Sequence, residues 1–428
     1  MKKAFSFIIA LVLLCSLFLF GCGHSHSFTL KIISDDFLCS SANCEGGAKY
    51  YYSCACGKKG EEVFEHGDPK HEGEGAICSS CNKKAYSEGL YFQKSFDQTH
   101  YSLAGLGDCA DKDIIIPSVY NGLPVTEIST SALSSSEVDS VFIPWSVTKI
   151  GAYAFCDSTV KSVRIGGEVL SIDDYAFSGC NALSSVAIPD SVTRLGKYCF
   201  YECTSLSSAV LSNKITSIEE FTFYNTAIES VVIPSSVATI GVNAFQNCKS
   251  LARVEFNEGL ISIGEYAFEQ CSSLTSVSLP SSISQIDRRI FMYCSSLSSV
   301  TLPAKKMVIN AEIFYGTAYY NNQENWKDSV LYIGKHLIAV RKTLPADYKI
   351  KEGTVTIANA GFWNCTTLTS IYIPKSVIYV GDHAFYLCSS ITDTYYGGSQ
   401  ADWQKVGFGY YNDTMVKATM HYNSSGKQ

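Results

Sequence analysis

Ile263-Gly-Glu-Tyr-Ala-Phe-Glu-Gln-Cys-Ser-Ser-Leu-Thr-Ser-Val-Ser-Leu-Pro-Ser-Ser-Ile-Ser-Gln285 is a complete phrase, and Ile286 opens it again. Its marker is a phenylalanine, found at Phe155, Phe177, Phe200, Phe223, Phe245, Phe268, Phe291 and Phe314, every 22 or 23 residues. Phe362 and Phe385 stand 23 apart in the same way. Self-similarity at a fixed period in the twenties is the sequence mark of a solenoid.

Within one phrase, Leu274-x-x-Val277-x-Leu279 alternates as a short strand with one face turned inward. Pro280 ends that strand, since proline has no N–H to give to a ladder. Ile283 and Ile286 point inward again, Gly264 reads as freedom for the backbone to bend, and Tyr-Ala-Phe-x-x-Cys makes the return limb. A lone coil cannot bury its apolar edge, so coils must stack. With strands ~4.8 Å apart, about 11 coils would form a rod or arc roughly 50 Å long. The expected fold class is a mainly β repeat solenoid, with short parallel strands and turns of 22 or 23 residues.

The phrase Ile-Pro-x-Ser-Val-x-x-Ile-Gly-x-x-Ala-Phe-x-x-Cys-x-x-Leu-x-x-Val resembles the BspA-like class of leucine-rich repeats. It is matched closely at 172–195, 240–263, 263–286 and 357–380 and more loosely elsewhere, from about Leu90 to the C-terminus. The resemblance implies a bacterial cell-surface protein that binds other proteins or host matrix. It brings no catalytic residues.

The flanks divide the chain further. Met1-Lys2-Lys3 followed by the apolar run Ala4–Phe20 reads as an export signal. Leu19-Phe20-Gly21-Cys22 looks like a bacterial lipobox, so 1–22 is expected to be a lipoprotein signal peptide and Cys22 the lipid anchor. Plain secretion and an uncleaved anchor are the alternatives; each places the chain outside the cytoplasm. Residues 23–89 are rich in Gly, Lys, Glu and His, with six cysteines and no period. Two thiol turns stand out, Cys54-Ala-Cys56-Gly57 and Cys78-Ser-Ser-Cys81-Asn82. Close thiolates on two tight turns suit the tetrahedral shell of structural zinc, and the segment resembles a zinc ribbon. Disulfides, or a spacer without metal, are the competing readings. Cys39, Cys44, His66 and His71 are substitute ligands.

A strand-rich capping segment over 90–127 leads into the solenoid, which runs over 128–394. Ser329–Arg341 alternates and turns at Gly334-Lys335, predicting a hairpin insertion over about 318–347. It either adorns a binding face or merely decorates the stack. Residues 395–428 read as a C-terminal cap of strand, short helix and strand, with Ser399 as helix N-cap and Asn423–Gln428 fraying.

Cys180, Cys203, Cys248, Cys271, Cys294, Cys365 and Cys388 all fall three after the marker phenylalanine, and Ser158, Thr226 and Thr317 replace them elsewhere. That choice predicts a buried, compact, weakly polar column of free thiols. Pairing along the column is the alternative, but three successive coils carry Cys248, Cys271 and Cys294, and one of these would be left over.

A net charge of −7 gives no basic footprint for nucleic acid. There is no Gly-rich phosphate loop, no Gly-x-Ser-x-Gly elbow and no His-Glu-x-x-His, and the chain is not expected to be an enzyme. Two rows are candidates for recognition. The strand row comprises Phe142, Arg164, Ala187, Val210, Val232, Glu255, Ser278, Thr301 and Tyr372, positions whose identity core packing does not dictate. The second lies two before the marker: Tyr153, Tyr175, Tyr198, Phe221 and Tyr266. Such aromatics either seal the next coil's edge or offer rigid contact area to a partner. Two functions compete: a surface adhesin or scaffold for a protein, host-matrix or glycan partner, and an envelope protein whose zinc-binding head captures metal or assembles, with the solenoid as spacer.

Overall fold

The structure, a computed structural model, describes the strands Leu30–Lys31, Leu38–Ser40, Ala48–Ser53 and Lys59–His66, together with residues 84–426 apart from 311 and 343. Two compact units divide the chain, residues 1–70 and residues 71–428. In the first, Ala48–Ser53 pairs antiparallel with each of the other three strands. The expected signal peptide 1–22 with Cys22, and the expected zinc ligands Cys54, Cys56, Cys78 and Cys81, lie outside the described residues.

The second unit is a parallel-stranded solenoid. Three-residue strands such as Ser185–Ala187 and Ser208–Val210 stack in register along one side. They form a seven-stranded, a two-stranded and a four-stranded sheet. The row reaches from Asp113–Ile115 in the N-terminal capping segment to Thr419–His421 near the C-terminus. Two-residue strands such as Thr239–Ile240 and Ser262–Ile263 build a second parallel ladder.

Local chemistry bends each coil. Pro234 cannot donate, and its carbonyl accepts from the Val237 N–H at 3.0 Å, closing a turn between the two strands. Pro189 with Val192 and Pro374 with Val377 make the same 3.0 Å bond. On the return limb the N–H groups alternate in direction. Those of Ala154, Cys156 and Ser158 close turns inside their own coil, while those of Tyr153, Phe155 and Asp157 donate to Asp174, Ala176 and Ser178 of the next. No donor of this buried limb is left idle. The alternation needs left-handed backbone on either side of the marker: φ is +56° at Tyr153 and +57° at Asp157 in one coil, +55° at Phe221 and +54° at Asn225 in another.

Inside this frame the marker phenylalanines from Phe155 to Phe314 stack ring on ring, and Phe362 and Phe385 form a separate pair. Phe177–Phe200, Phe200–Phe223, Phe223–Phe245 and Phe245–Phe268 have centroids 5.3, 5.4, 5.2 and 5.1 Å apart, with every ring fully buried. Burying each ring is worth roughly 1.5–3 kcal/mol. Each contact between neighbouring rings adds about 0.5–1.5 kcal/mol.

The cysteine column lies beside the stack, and its seven cysteines are free thiols. Six of its thiols donate to the marker carbonyl of the coil before, among them Cys203 to Phe177 at 3.0 Å, Cys248 to Phe223 at 3.0 Å, Cys271 to Phe245 at 3.2 Å and Cys294 to Phe268 at 3.1 Å. The thiol thus uses the second lone pair of a carbonyl already engaged in a turn. Thr226 and Thr317 instead bond the marker carbonyl of their own coil, at 3.0 and 2.7 Å. Burial pushes the Cys248 thiol up to about 11.

Gly264 is needed for a reason other than bending. Its φ is not positive, and a Cβ there would come within 2.9 Å of the Val242 nitrogen in the preceding coil. Close approach of two backbones is what the position requires.

The insertion corrects both expectations for it. Val330–Ile333 and His336–Val340 form the hairpin, with Gly334 at φ +56°. However, His336–Val340 also pairs parallel with Thr356–Ile357, so the hairpin occupies a place in the second ladder. Val330, Leu331, Ile333 and Leu337 are buried. His336 is buried with them, and its Nε2–H donates to the Pro303 carbonyl at 2.8 Å. Its Nδ1 has no partner among the described residues.

At the C-terminal end, Ser399 caps the helix Gln400–Trp403 in a capping box with Asp402. A further short helix, Asp413–Val416, precedes the last strand. The tail does not fray as expected: Asn423 and Ser424 donate to Gly398 and Tyr396 at 2.8 and 3.1 Å.

Three outcomes follow from this packing. Phe245→Ala is expected to cost about 3–5 kcal/mol in urea denaturation. Val232→Ala, at an exposed site, should cost less than about 0.5 kcal/mol; equal losses would show that the ring stack is not what holds the coils. Cys203, Cys248, Cys271 and Cys294 should resist iodoacetamide in the native state and react after denaturation, read by peptide mass spectrometry. Disulfide-linked peptides from the column would refute that. Burial lowers His336 from its ordinary value of 6.5, so the unfolded chain takes up this proton first. Its contribution to stability is complete above pH 6.5 and is lost as the pH falls towards the lower folded value. The stability of His336→Gln should therefore decline less than that of the parent between pH 7 and pH 5, and parallel curves would count against this account.

Candidate functional site

The return limb that carries the left-handed residues also carries the aromatic row. Tyr153, Tyr175, Tyr198 and Phe221 stand two before their markers at φ of +55° to +59°, a conformation that costs a residue with a Cβ about 1–2 kcal/mol. Stacking offsets it. Tyr153–Tyr175, Tyr175–Tyr198 and Tyr198–Phe221 have centroids 4.7, 4.6 and 4.7 Å apart and planes within 7° of parallel. The coil spacing sets the ring spacing, so the row is a rigid ladder. Tyr153 at its open end is 40% exposed, and the others are half-buried.

This geometry decides what the row can present. Tyr175 and Tyr198 have both ring faces covered by neighbours, which leaves ring edges and hydroxyls to the outside. Burial, with the adjoining Tyr198 and Tyr153 phenols, holds the Tyr175 hydroxyl above its ordinary value, so it stays uncharged at neutral pH.

A second, shorter row adjoins the first and was not foreseen. Tyr201 and Tyr224 stack at 5.0 Å, and Tyr201 lies 5.6 Å from Tyr198. Both stand one after their markers, as do Tyr315, Trp363 and Tyr386. That recurrence was visible in the sequence and marks a second aromatic column on the same limb.

The structure separates Tyr266 from the ladder, because Asn243 interrupts the stack. Tyr266 joins a polar group instead: Arg289 donates to its hydroxyl at 3.2 Å and to Glu312 at 2.6 Å. The strand row is uneven. Arg164 lies over the Phe142 ring at 5.2 Å, and Glu255 pairs with Arg253 at 3.1 Å. Val210 and Val232 are exposed. Tyr372 does not belong to an open face, being only 7% exposed. Its hydroxyl donates to Glu352 at 2.7 Å, Lys349 lies 4.6 Å from its ring centroid, and the chain at Ser425 and Gly426 covers it, with Lys349 bonding the Ser425 carbonyl at 2.9 Å. A tail that folds back over the strand face is the reason.

The histidines of the repeats are apart from one another. His336 is buried in the ladder, His383 stacks on Tyr411 at 4.5 Å, and His421 pairs with Asp393 at 2.8 Å. Among the described residues no group of three His, Cys, Asp or Glu side chains is placed to hold a metal ion. No described helix is long and apolar enough to cross a membrane.

A family model described as BspA type leucine rich repeat region matches residues 126–250, 216–344 and 341–408. Among solved structures, the chain is similar to a leucine-rich repeat protein from Bacteroides ovatus, at 19% identity over 79% of this chain and 78% of that one, with a TM-score of 0.45. It is similar to a leucine rich cell surface protein from Faecalibacterium prausnitzii, at 24% identity over 77% and 99%, TM-score 0.36. It is also similar to the pneumococcal vaccine antigen PcpA, at 16% identity over 79% and 98%, TM-score 0.42. No curated protein matches the chain.

Proposed function

We propose, from the premise that the chain belongs to the BspA-type leucine-rich repeat family, that it is a non-enzymatic binding protein of the bacterial cell surface. In this reading the export signal carries it out, Cys22 anchors it by lipid, and the solenoid holds a recognition surface away from the membrane. The observation that supports it is the aromatic ladder Tyr153–Tyr175–Tyr198–Phe221 with Tyr201 and Tyr224 beside it. Tyrosines held rigid before binding lose little side-chain entropy when a partner arrives.

Covered ring faces point to a protein partner for this row, such as a component of host matrix. A sugar recognised by stacking needs an open face, and the inner rings have none. Edges and hydroxyls suit a peptide backbone and apolar side chains instead.

The test is capture of host-matrix proteins by the exported chain and by a variant carrying Tyr153→Ser, Tyr175→Ser and Tyr198→Ser. Loss of about tenfold or more in affinity is expected, as for a cluster of interface hot spots. Undiminished capture by a folded variant, judged by circular dichroism, would exclude this row as the binding surface.

A further inference from the structure

The last coils arrange their aromatics differently. Trp363 and Tyr386 meet at 79° with centroids 6.2 Å apart, and Tyr386 and Tyr411 meet at 80° and 6.4 Å. In such a contact one ring turns its edge to the face of the other, so the rings are not shingled face on face. Tyr411 rests one face on His383 and is still 60% exposed, so its other face is open. Tyr386 and Tyr411 wall a cleft of about 460 Å³, a volume within the range of small-molecule sites. Leu387, Ser389, Ile391, Asp413, Thr414 and Lys417 complete its lining.

Holding this end of the fold together is the work of other residues. The Asn412 side chain donates to the Gly381 and Gly409 carbonyls at 2.9 and 3.0 Å and accepts from the Phe385 N–H at 3.0 Å. Asp382 accepts from the Tyr410 N–H at 2.7 Å. Beside them, the side chains of Ser389, Asp413, Thr414 and Lys417 make no hydrogen bond or ion pair among the described residues. Thr204, at the corresponding edge of an earlier coil, bonds Asn181 of the coil before at 2.9 Å. Here an acceptor, a donor and two hydroxyls remain unengaged next to an open aromatic face.

We propose that this cleft is a binding site for a neutral oligosaccharide, its C–H face on the open face of Tyr411 and its hydroxyls on Asp413, Thr414 and Lys417. The C–H bonds of a sugar ring meet the electron-rich face of a tyrosine favourably. Sugar hydroxyls both donate and accept, which matches a carboxylate, an ammonium and hydroxyls set together. Asp413 and Lys417 lie one helical turn apart with opposite charge, so the lining is neutral: an anion meets the carboxylate and a cation meets the ammonium. This inference does not rest on the protein-binding reading of the tyrosine ladder, which lies in different coils.

A printed array of neutral glycans probed with the full chain, followed by calorimetric titration of the best binder, tests it. Saturable binding at millimolar affinity or better is expected. Tyr411→Asn removes the ring while asparagine accommodates the φ of +60° at this site, and Asp413→Ala removes the acceptor. Each should weaken binding about tenfold, with Lys214→Ala, an exposed change in a distant coil, leaving it unchanged. Silence across the array, binding confined to sulfated or sialylated glycans, or binding that survives both cleft substitutions would overturn the proposal.

Discussion

Each coil directs half of the return-limb N–H groups into the next coil and keeps the other half for its own turns. That division is the constraint on which the structure depends. It holds successive limbs at one spacing, and the marker phenylalanines can then stack 5.1–5.4 Å apart through the middle of the solenoid. Backbone bonding alone would tolerate small residues at the marker. Ring burial alone would not align the strands. Together they make every coil the template for its neighbour, as in other repeat proteins, where stability is a sum over units and their interfaces.

The same division explains two features that look costly in isolation. Left-handed backbone at an aromatic residue is unfavourable, yet the limb needs it to aim alternate N–H groups along the stack, and ring contacts at 4.6–4.7 Å offset the strain. A buried cysteine is a poor hydrogen-bond donor, but beside a carbonyl with one lone pair to spare it is small enough to fit and polar enough to bond. Threonine at the same position reaches the marker carbonyl of its own coil instead.

Along the aromatic side of the solenoid, the arrangement of rings changes from one end to the other. Between Tyr153 and Phe221 the rings stack and hide their faces. Around Tyr386 and Tyr411 they meet edge to face, and Tyr411 stays 60% exposed. Two repeat positions of one limb, two before and one after the marker, therefore carry aromatic rings in two different arrangements.

Contacts between one coil and the next join residues 22 or 23 apart, so recurrence in the sequence is recurrence in space, and the sequence by itself determined the solenoid, its phenylalanine core, its buried thiols, the proline turns and the Ser399 cap. Its aromatic row was legible for the same reason, although the column one after the marker passed unnoticed despite an equal period. Only tertiary structure decided what happens where contacts leave that period. The tail reaches back 76 residues from Ser425 to Lys349 and closes over Tyr372. His336 reaches back 33 residues to Pro303, in a hairpin that takes a place in the ladder. Which ring faces stay open was likewise settled by neighbours rather than by residue type, because stacking depends on the spacing and tilt of the backbones beneath the rings.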